Sequence, residues 1–190
     1  MNQNLANKQI KTTAVADGSF NREKQKETTI TAVTTQGKFY IENIETTRVK
    51  IDGENATNKI IELNNEKNSV KQSNLFLLQG TTIAGLNVIN IPRIYEKTKK
   101  PVITVLSKKP SEEKIKKAIK KVENSEEKLK KLNENPKYRK HEEKNIYYSS
   151  IGLNNKETER IIEKMIHKGN YPEPLRITKK IARSITEANK

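Results

Sequence analysis

The sequence predicts an α/β fold in which one mixed β-sheet carries helices on both faces. The first 51 residues contain three β-rich runs that are joined by short turns, as in an antiparallel meander. Two short and nearly continuous apolar runs, at 75–78 and 102–106, are typical of strands that are buried on both faces. From Ser111 onward, apolar residues recur at helical spacing.

The N-terminal third of the chain is predicted to form three strands. Residues 10–16 form the first strand, which ends at Asp17-Gly18, and residues 28–35 form the second, where β-branched side chains dominate. Gln36-Gly37 provides the turn into the third strand, residues 39–51. Because the connections are short, neighbouring strands are predicted to be antiparallel.

The middle of the chain is predicted to alternate between helices and buried strands. Asn55 or Thr57 is a candidate cap for a helix with apolar residues at positions 60, 61 and 63. The polar residues 64–74 are typical of a loop. Between the two buried strands, Pro92 can open a short helix that runs to Tyr95. This alternation predicts parallel strands that are connected by right-handed crossovers.

Helices dominate after residue 110. Two are predicted within residues 111–132, and a charged connection at 133–144 leads to a short strand at 145–151. Asn154, followed by Glu157 three residues later, is a capping-box pattern that starts another helix. A last helix follows Pro172, and its apolar residues are predicted to face inward. They are Leu175, Ile177, Ile181 and Ile185.

The order of these elements indicates a fold type. Three antiparallel strands followed by helix–strand alternation are the arrangement of the ribonuclease H-like fold, so residues 10–187 are predicted to form a single domain of this kind. Residues 1–9 are polar and rich in Asn, and are predicted to be a disordered N-terminus without a secretory signal.

Composition excludes several classes of protein. With no Cys, the chain has no disulfide scaffold, Cys-ligated zinc site or thiol nucleophile, and its two His argue against a histidine metal cage. No apolar run reaches the roughly 20 residues of a membrane span, so no membrane association is expected. The expected location is the cytoplasm.

The net charge of +15 favours polyanions as partners, above all DNA or another nucleic acid. Residues 96–145 hold 17 Lys and Arg against 9 Glu, so we expect this segment to supply much of any phosphate contact. The alternative is that these lysines only solvate exposed helices.

The chain has only two aspartates, Asp17 and Asp52, and each precedes a glycine. In a ribonuclease H-like enzyme, carboxylates at strand ends hold Mg²⁺ or Mn²⁺, which activates water for phosphodiester hydrolysis. Asp17 lies at the end of the first strand, and Asp52 with Glu54 precedes the first helix. These three residues are therefore the candidate catalytic and metal-binding set. The alternative for each Asp-Gly pair is an ordinary turn.

Several motifs resemble the archaeal endonuclease dU family, which is related to endonuclease V. The resemblance runs from Ala14 to Thr186. Its most specific stretches are Asp17-Gly18-Ser19-Phe20, Ile51-Asp52-Gly53, Gly80 to Asn87, Tyr95 to Thr98, and Gly169 to Arg176. The resemblance implies a ribonuclease H-like fold and metal-dependent cleavage of DNA that contains deaminated bases.

The chain also departs from the pattern of this family. The resemblance implies two consecutive acids at the end of the first strand, where this chain has Ala16 before Asp17. At four further positions the family pattern has an acid, an Asn, an acid and a His. This chain has, in the same order, Asn55, Gln79, Asn90 and Lys179. Ala16 and Asp17 are predicted to face opposite sides of the sheet, so Asp17 cannot substitute for the missing acid. Glu54 is the candidate that could compensate.

Weaker candidates for nucleic-acid contact are Thr81, Thr82, Lys108, Glu173 and Arg176. Threonine hydroxyls and Lys108 could meet phosphates, with a turn and a solvated lysine as alternatives. Glu173 and Arg176 match the family, with a local ion pair as the alternative.

Three hypotheses follow. The first is a nucleic-acid-binding protein of the endonuclease dU family with weakened or lost nuclease activity. The second is an active Mg²⁺-dependent endonuclease that uses Asp17, Asp52 and Glu54. The third is a non-catalytic interaction module whose basic surface reflects composition only.

Overall fold

The computed structural model describes residues 10–188. The strands are β1 (Lys11–Asp17), β2 (Glu27–Gln36), β3 (Tyr40–Lys50), β4 (Leu75–Leu78), β5 (Thr82–Ile83), β6 (Asn87–Val88), β7 (Val102–Leu106), β8 (Arg139–Lys140) and β9 (Tyr147–Ile151). The helices are α1 (Ala56–Glu66), α2 (Asn68–Lys71), α3 (Ile91–Thr98), α4 (Glu112–Ile119), α5 (Ser125–Glu134), α6 (Asn155–Met165) and α7 (Glu173–Ala188).

Seven of these strands form one mixed sheet in the order β3-β2-β1-β4-β7-β9-β8. β1, β2 and β3 are antiparallel, as predicted, and β4 and β7 are parallel to β1. β9 runs antiparallel to β7 and β8. The carboxyl ends of β1, β4 and β7 therefore lie at the same edge of the sheet, where a ligand can reach side chains from all three.

Apolar residues pack on both faces of this sheet. On one face, Val15 and Phe76 pack with residues of α1 and α3. On the other face, Ala14 and Leu77 pack with residues of α6 and the start of α7. β4 is buried on both faces, which explains why its sequence is continuously apolar.

The structure differs from the sequence prediction in three segments. The predicted loop 64–74 contains the end of α1 and all of α2, and residues 83–91, for which no strand is predicted, contain part of the β5–β6 hairpin. The charged connection 133–144 contains β8, which pairs with β9. These elements are held by contacts with distant segments, and their local sequences do not favour them. The predicted disordered segment, residues 1–9, lies outside the described residues, and the single-domain boundary remains a prediction.

The buried face of α7 agrees with the prediction at Leu175 but not at the three isoleucines. Its buried residues include Leu175, Thr178, Ala182 and Thr186, whereas Ile177, Ile181 and Ile185 are half-buried. The reason is the close approach of α7 to the end of β1. A Cβ on Gly18 would lie 2.1 Å from Thr186 Cγ2 and 2.7 Å from the Ala182 carbonyl oxygen. Small side chains are therefore required on this face.

One further prediction concerns a local signal at the start of α6. The capping box at the start of α6 is confirmed, because Asn154 accepts from the Glu157 amide and Glu157 accepts from the Asn154 amide, both at 2.9 Å. Within residues 10–188, no helix has the length and apolar character needed to cross a bilayer.

Candidate nucleic-acid interface

A small pocket of about 240 Å³ opens at the carboxyl ends of β1 and β4. Its polar or charged lining residues are Asp17, Gln79, Thr82 and Lys179, and Ala16 and Gly85 also line it. β1 supplies Ala16 and Asp17, while Gln79 directly follows β4 and Lys179 comes from α7. The pocket thus combines one carboxylate, one ammonium group and two neutral polar groups.

The two aspartates bind the same short turn between β5 and β6. Asp17 Oδ2 accepts a 2.7 Å hydrogen bond from the Ala84 amide, and Asp52 Oδ1 accepts one of 2.7 Å from the Leu86 amide. Arg22 Nε lies 3.1 Å from Asp52 Oδ2. The structure therefore brings Asp17 and Asp52 to one turn, where each carboxylate holds a backbone N–H that would otherwise lack a partner.

Gly85 lies between these two amides and has φ +83°. A Cβ at this position would lie 2.3 Å from Asp52 Oδ1. We expect Gly85→Ala to lower the melting temperature by roughly 2–8 °C, because positive φ costs about 1–2 kcal/mol and 1 kcal/mol corresponds to about 2–4 °C at this size. The clash with Asp52 adds to this loss. Thermal unfolding followed by circular dichroism measures it.

Gly37→Ala is the matched control for this substitution. Gly37 has φ +64° with no neighbouring atom within 4 Å of a Cβ, so only the backbone cost applies there. Equal losses in the two variants would show that the Asp52 contact contributes nothing to the turn.

Glu54 does not join the two aspartates at this turn. Its carboxylate accepts a 2.6 Å hydrogen bond from Asn124 Nδ2 and lies 3.3 Å from Lys131 Nζ. Residues 10–188 contain no group of three or more His, Asp or Glu side chains that could hold a metal ion. The catalytic and metal-binding roles assigned to Asp17, Asp52 and Glu54 remain predictions.

The donor set of the pocket does not fit Mg²⁺ or Mn²⁺. These ions prefer carboxylate oxygens, but Asp17 already accepts from the Ala84 amide and Lys179 brings a positive charge. Ala16 is buried and pairs across the sheet with Thr31, whose buried hydroxyl has no hydrogen-bond partner within residues 10–188. A carboxylate at position 16 would offer that hydroxyl an acceptor.

A larger groove of about 1400 Å³ lies beside Asp52. Four of its acidic residues are held in ion pairs: Glu27 with Arg48, Asp52 with Arg22, and Glu54 and Glu127 with Lys131. Glu123 has no ion pair within residues 10–188, and its backbone carbonyl accepts from the buried Lys128. Besides Lys128, four groove cations have no ion-pair partner within residues 10–188; they are Lys24, Lys26, Lys50 and Arg93. The groove is therefore available to a polyanion.

The predicted contact residues Thr81, Thr82 and Lys108 have different environments. Thr81 is buried and its carbonyl accepts from the Ile89 amide at 2.9 Å, which favours a structural role. It lies beside Tyr138, whose pKa is raised by burial, so that phenol stays neutral. Thr82 lines the small pocket, and Lys108 is exposed two residues after β7.

Glu173 and Arg176 form a local ion pair in the first turn of α7. Glu173 is buried, and its Oε1 lies 3.1 Å from Arg176 Nη1. Arg176 lies one turn before Lys179 and Arg183 lies one turn after it, so the three cations share one side of the helix. This side continues from the small pocket along α7.

Sequence reasoning missed most of the basic groove residues as a group. Lys24 and Lys26 lie between β1 and β2, whereas Arg93 comes from α3. These residues do not belong to one charged run in the sequence. The local signal that could have indicated Lys24 and Lys26 is their alternation with other residues just before β2. Lys128 and Lys131, from the strongly basic segment 96–145, are bonded within the groove and are not free.

Comparison with known proteins identifies the relatives of this chain. The sequence model of the family described as Endonuclease dU matches residues 8–186. A UPF0215 protein of Archaeoglobus fulgidus is 34% identical over 146 residues, 77% of this chain and 80% of that protein. A UPF0215 protein of Thermococcus sibiricus is 31% identical over 182 residues, 93% of this chain and 92% of that protein. The resemblance noted in the motifs is thereby confirmed.

Solved structures show the same fold. A protein of unknown function from Archaeoglobus fulgidus superposes with a TM-score of 0.85 at 30% identity, covering 93% of this chain and 98% of the other. Endonuclease V of Ciona intestinalis, in complex with a DNA 24-mer that contains inosine, gives 0.61 at 15% identity, covering 95% and 87%. The predicted ribonuclease H-like fold is confirmed.

Proposed function

Because the chain belongs to the Endonuclease dU family, we propose that it binds nucleic acid and that its metal-dependent nuclease activity is weakened or lost. The observation that carries this proposal is the charge of the pocket at the end of β1. Its one carboxylate, Asp17, already accepts from the Ala84 amide through Oδ2, and its one cation is Lys179. Such a pocket attracts a phosphate more readily than a divalent metal ion.

The polar groups of the pocket suit phosphate oxygens. The Lys179 ammonium can donate to them as a point charge, and the Gln79 amide and the Thr82 hydroxyl can add neutral hydrogen bonds. Contacts of this kind position a nucleic-acid backbone without reading its sequence. Hydrolysis needs an activated water in addition, and Asp17 is the one carboxylate among the described residues lining the pocket.

The groove beside Asp52 extends the same basic surface. Four cations that are unpaired within the described residues lie along it, namely Lys24, Lys26, Lys50 and Arg93, and Arg176 and Arg183 flank Lys179 on α7. Release of counterions from the phosphates would drive binding, so affinity should fall steeply with salt. The fold that this chain shares with DNA-bound endonuclease V supports the choice of nucleic acid as the polyanion.

We expect DNA that contains uracil or hypoxanthine to be bound in EDTA and to be cleaved slowly or not at all with Mg²⁺ or Mn²⁺. The reason is that binding rests on lysine and arginine, whereas cleavage needs the carboxylates that the pocket lacks. Fluorescence anisotropy and a gel-based cleavage assay on the same oligonucleotides test the two parts separately. Undamaged DNA of the same sequence is the control substrate.

A second candidate is an active endonuclease that uses Asp17, Asp52 and Glu54. It is favoured by one observation, the meeting of Asp17 and Asp52 at the same turn. Robust cleavage that EDTA inhibits and that Asp52→Asn abolishes would establish this candidate and contradict the proposed loss of activity. Negligible binding even at low salt would instead favour the interaction module.

A further inference from the structure

Glu54 links two of the segments that line the large groove. It lies in the connection between β3 and α1, and its carboxylate accepts from Asn124 Nδ2 at 2.6 Å and lies 3.3 Å from Lys131 Nζ. Asn124 is the N-cap of α5, and Lys131 lies within that helix. All three residues line the groove. An acidic side chain thus holds donors of α5 inside the groove that is proposed to bind nucleic acid.

The side of α5 that lines the groove carries a row of hydrogen-bond donors. Asn124, Lys128 and Lys131 follow one another at intervals of four and three residues, so they lie on the same side of the helix. Asn124 has a left-handed backbone conformation, with φ +55°, and its side chain makes no capping hydrogen bond. Its amide group is therefore directed to Glu54 and not to the first turn of its own helix.

Lys128 has a buried ammonium group with little compensation for its charge. The residue is 1% exposed, and within residues 10–188 its Nζ has one hydrogen bond, to the backbone carbonyl of Glu123, and no ion pair. An ammonium group has three N–H donors, and a buried charge without a counter-ion is destabilising. An anion bound beside Lys128 would reduce this penalty.

Two carboxylates share the Lys131 ammonium group. Glu127 Oε1 lies 2.9 Å from Lys131 Nζ, and Glu54 Oε1 lies 3.3 Å from it. Glu127 lies one turn earlier on the same helix, so its ion pair is local. Together with Lys128, these side chains have no net charge. Withdrawal of Glu54 would leave the groove side of α5 with an excess positive charge, which a phosphate would neutralise.

The Glu54 carboxylate is a plausible stand-in for a phosphate oxygen. Both are charged acceptors, so Asn124 and Lys131 can donate to a phosphate as they donate to Glu54. The Glu54 side chain is 25% exposed and belongs to a connection between two elements, so it can withdraw toward solvent without disturbing the core.

We propose that Asn124, Lys128 and Lys131 form a phosphate-binding site that the Glu54 carboxylate occupies in the free protein. A backbone phosphate of the bound nucleic acid displaces Glu54 and takes its place. This inference rests on the proposed function and adds a regulatory element to it. Glu54 competes with the ligand from within the chain, so the groove binds more weakly than its cations alone would allow.

Fluorescence anisotropy titrations of a labelled DNA duplex in EDTA test this competition. Glu54→Gln keeps an oxygen for Asn124 but removes the charge beside Lys131. We expect it to raise the affinity about fivefold, the effect of one charge contact at about 4 Å in water. Glu62→Gln is the matched control, because it removes the same charge and frees Lys59 outside the groove. Equal gains in the two variants, or no gain in Glu54→Gln, would overturn the proposal.

Lys131→Gln in the Glu54→Gln background tests the site itself. If Lys131 contacts a phosphate, this second change should cancel the gain and lower the slope of log affinity against log salt by about 0.9. Asn124→Gly is a second variant in the same background, because glycine suits the left-handed backbone at this position. It should also lower the affinity. Thermal unfolding confirms that the variants are folded, and an affinity unchanged by both substitutions would refute the site.

The unmodified protein separates this inference from the proposed function. If it binds the duplex and Glu54→Gln gains nothing, the phosphate site is wrong and nucleic-acid binding stands. If neither the unmodified protein nor any variant binds the duplex even at low salt, the proposed function fails, and this inference fails with it.

Discussion

Reversal of three groove charges, in the variant Lys24→Glu, Lys26→Glu and Arg93→Glu, is expected to weaken nucleic-acid binding by roughly a hundredfold. All three side chains are exposed and unpaired within residues 10–188. Each phosphate contact at about 4 Å contributes about 1 kcal/mol in water, so three lost contacts correspond to roughly two orders of magnitude. The slope of log affinity against log salt should also fall by about 2.7.

Anisotropy titrations with a fluorescent oligonucleotide at several salt concentrations measure both quantities. The matched control is Lys156→Glu, Lys164→Glu and Lys168→Glu, which changes the net charge equally on exposed residues around α6. If the groove is the interface, this control variant should keep most of its affinity for the oligonucleotide. Equal losses in the two triple variants would show that only net charge matters, and would contradict the groove as the interface.

Restoring a carboxylate at the end of β1 is expected to create the metal site that the pocket lacks. Ala16→Asp would place a second acid beside Asp17, at a position that already lines the pocket and adjoins the unpartnered hydroxyl of Thr31. Mg²⁺ and Mn²⁺ would then have the carboxylate oxygens they prefer. We expect measurable metal binding by calorimetry, and EDTA-sensitive cleavage that exceeds that of the unmodified protein.

Ala16→Asn is the control for this gain, because it has nearly the same size and hydrogen-bonding capacity but no charge. It should bind neither metal more tightly than the unmodified protein. Adding Asp17→Asn to Ala16→Asp should remove the gain, since one of the two charges is lost. If Ala16→Asp folds normally yet binds no metal, Lys179 or another group controls the site, and the explanation based on Ala16 is wrong.

Local patterns in the sequence determined most of the fold. Alternating and continuous apolar runs predicted β1, β2, β4 and β7, because burial of a strand depends on which neighbouring residues are apolar. The capping box at Asn154 predicted the start of α6 for a similar reason, since both of its hydrogen bonds join residues three apart. The motifs around Asp17 and Asp52, together with those at 80–87, 95–98 and 169–176, indicated the family.

The tertiary structure determines which groups the charged residues bind. Asp17 and Asp52 bind a turn that lies 67 and 34 residues away along the chain, and Glu54 pairs with Asn124 and Lys131, 70 and 77 residues away. The basic groove likewise combines cations from the β1–β2 connection, β3 and α3. Hydrophobic periodicity reports only local geometry, whereas the partner of a charge depends on which distant segment the fold brings next to it. That is why the elements could be predicted and the charge of the pocket could not.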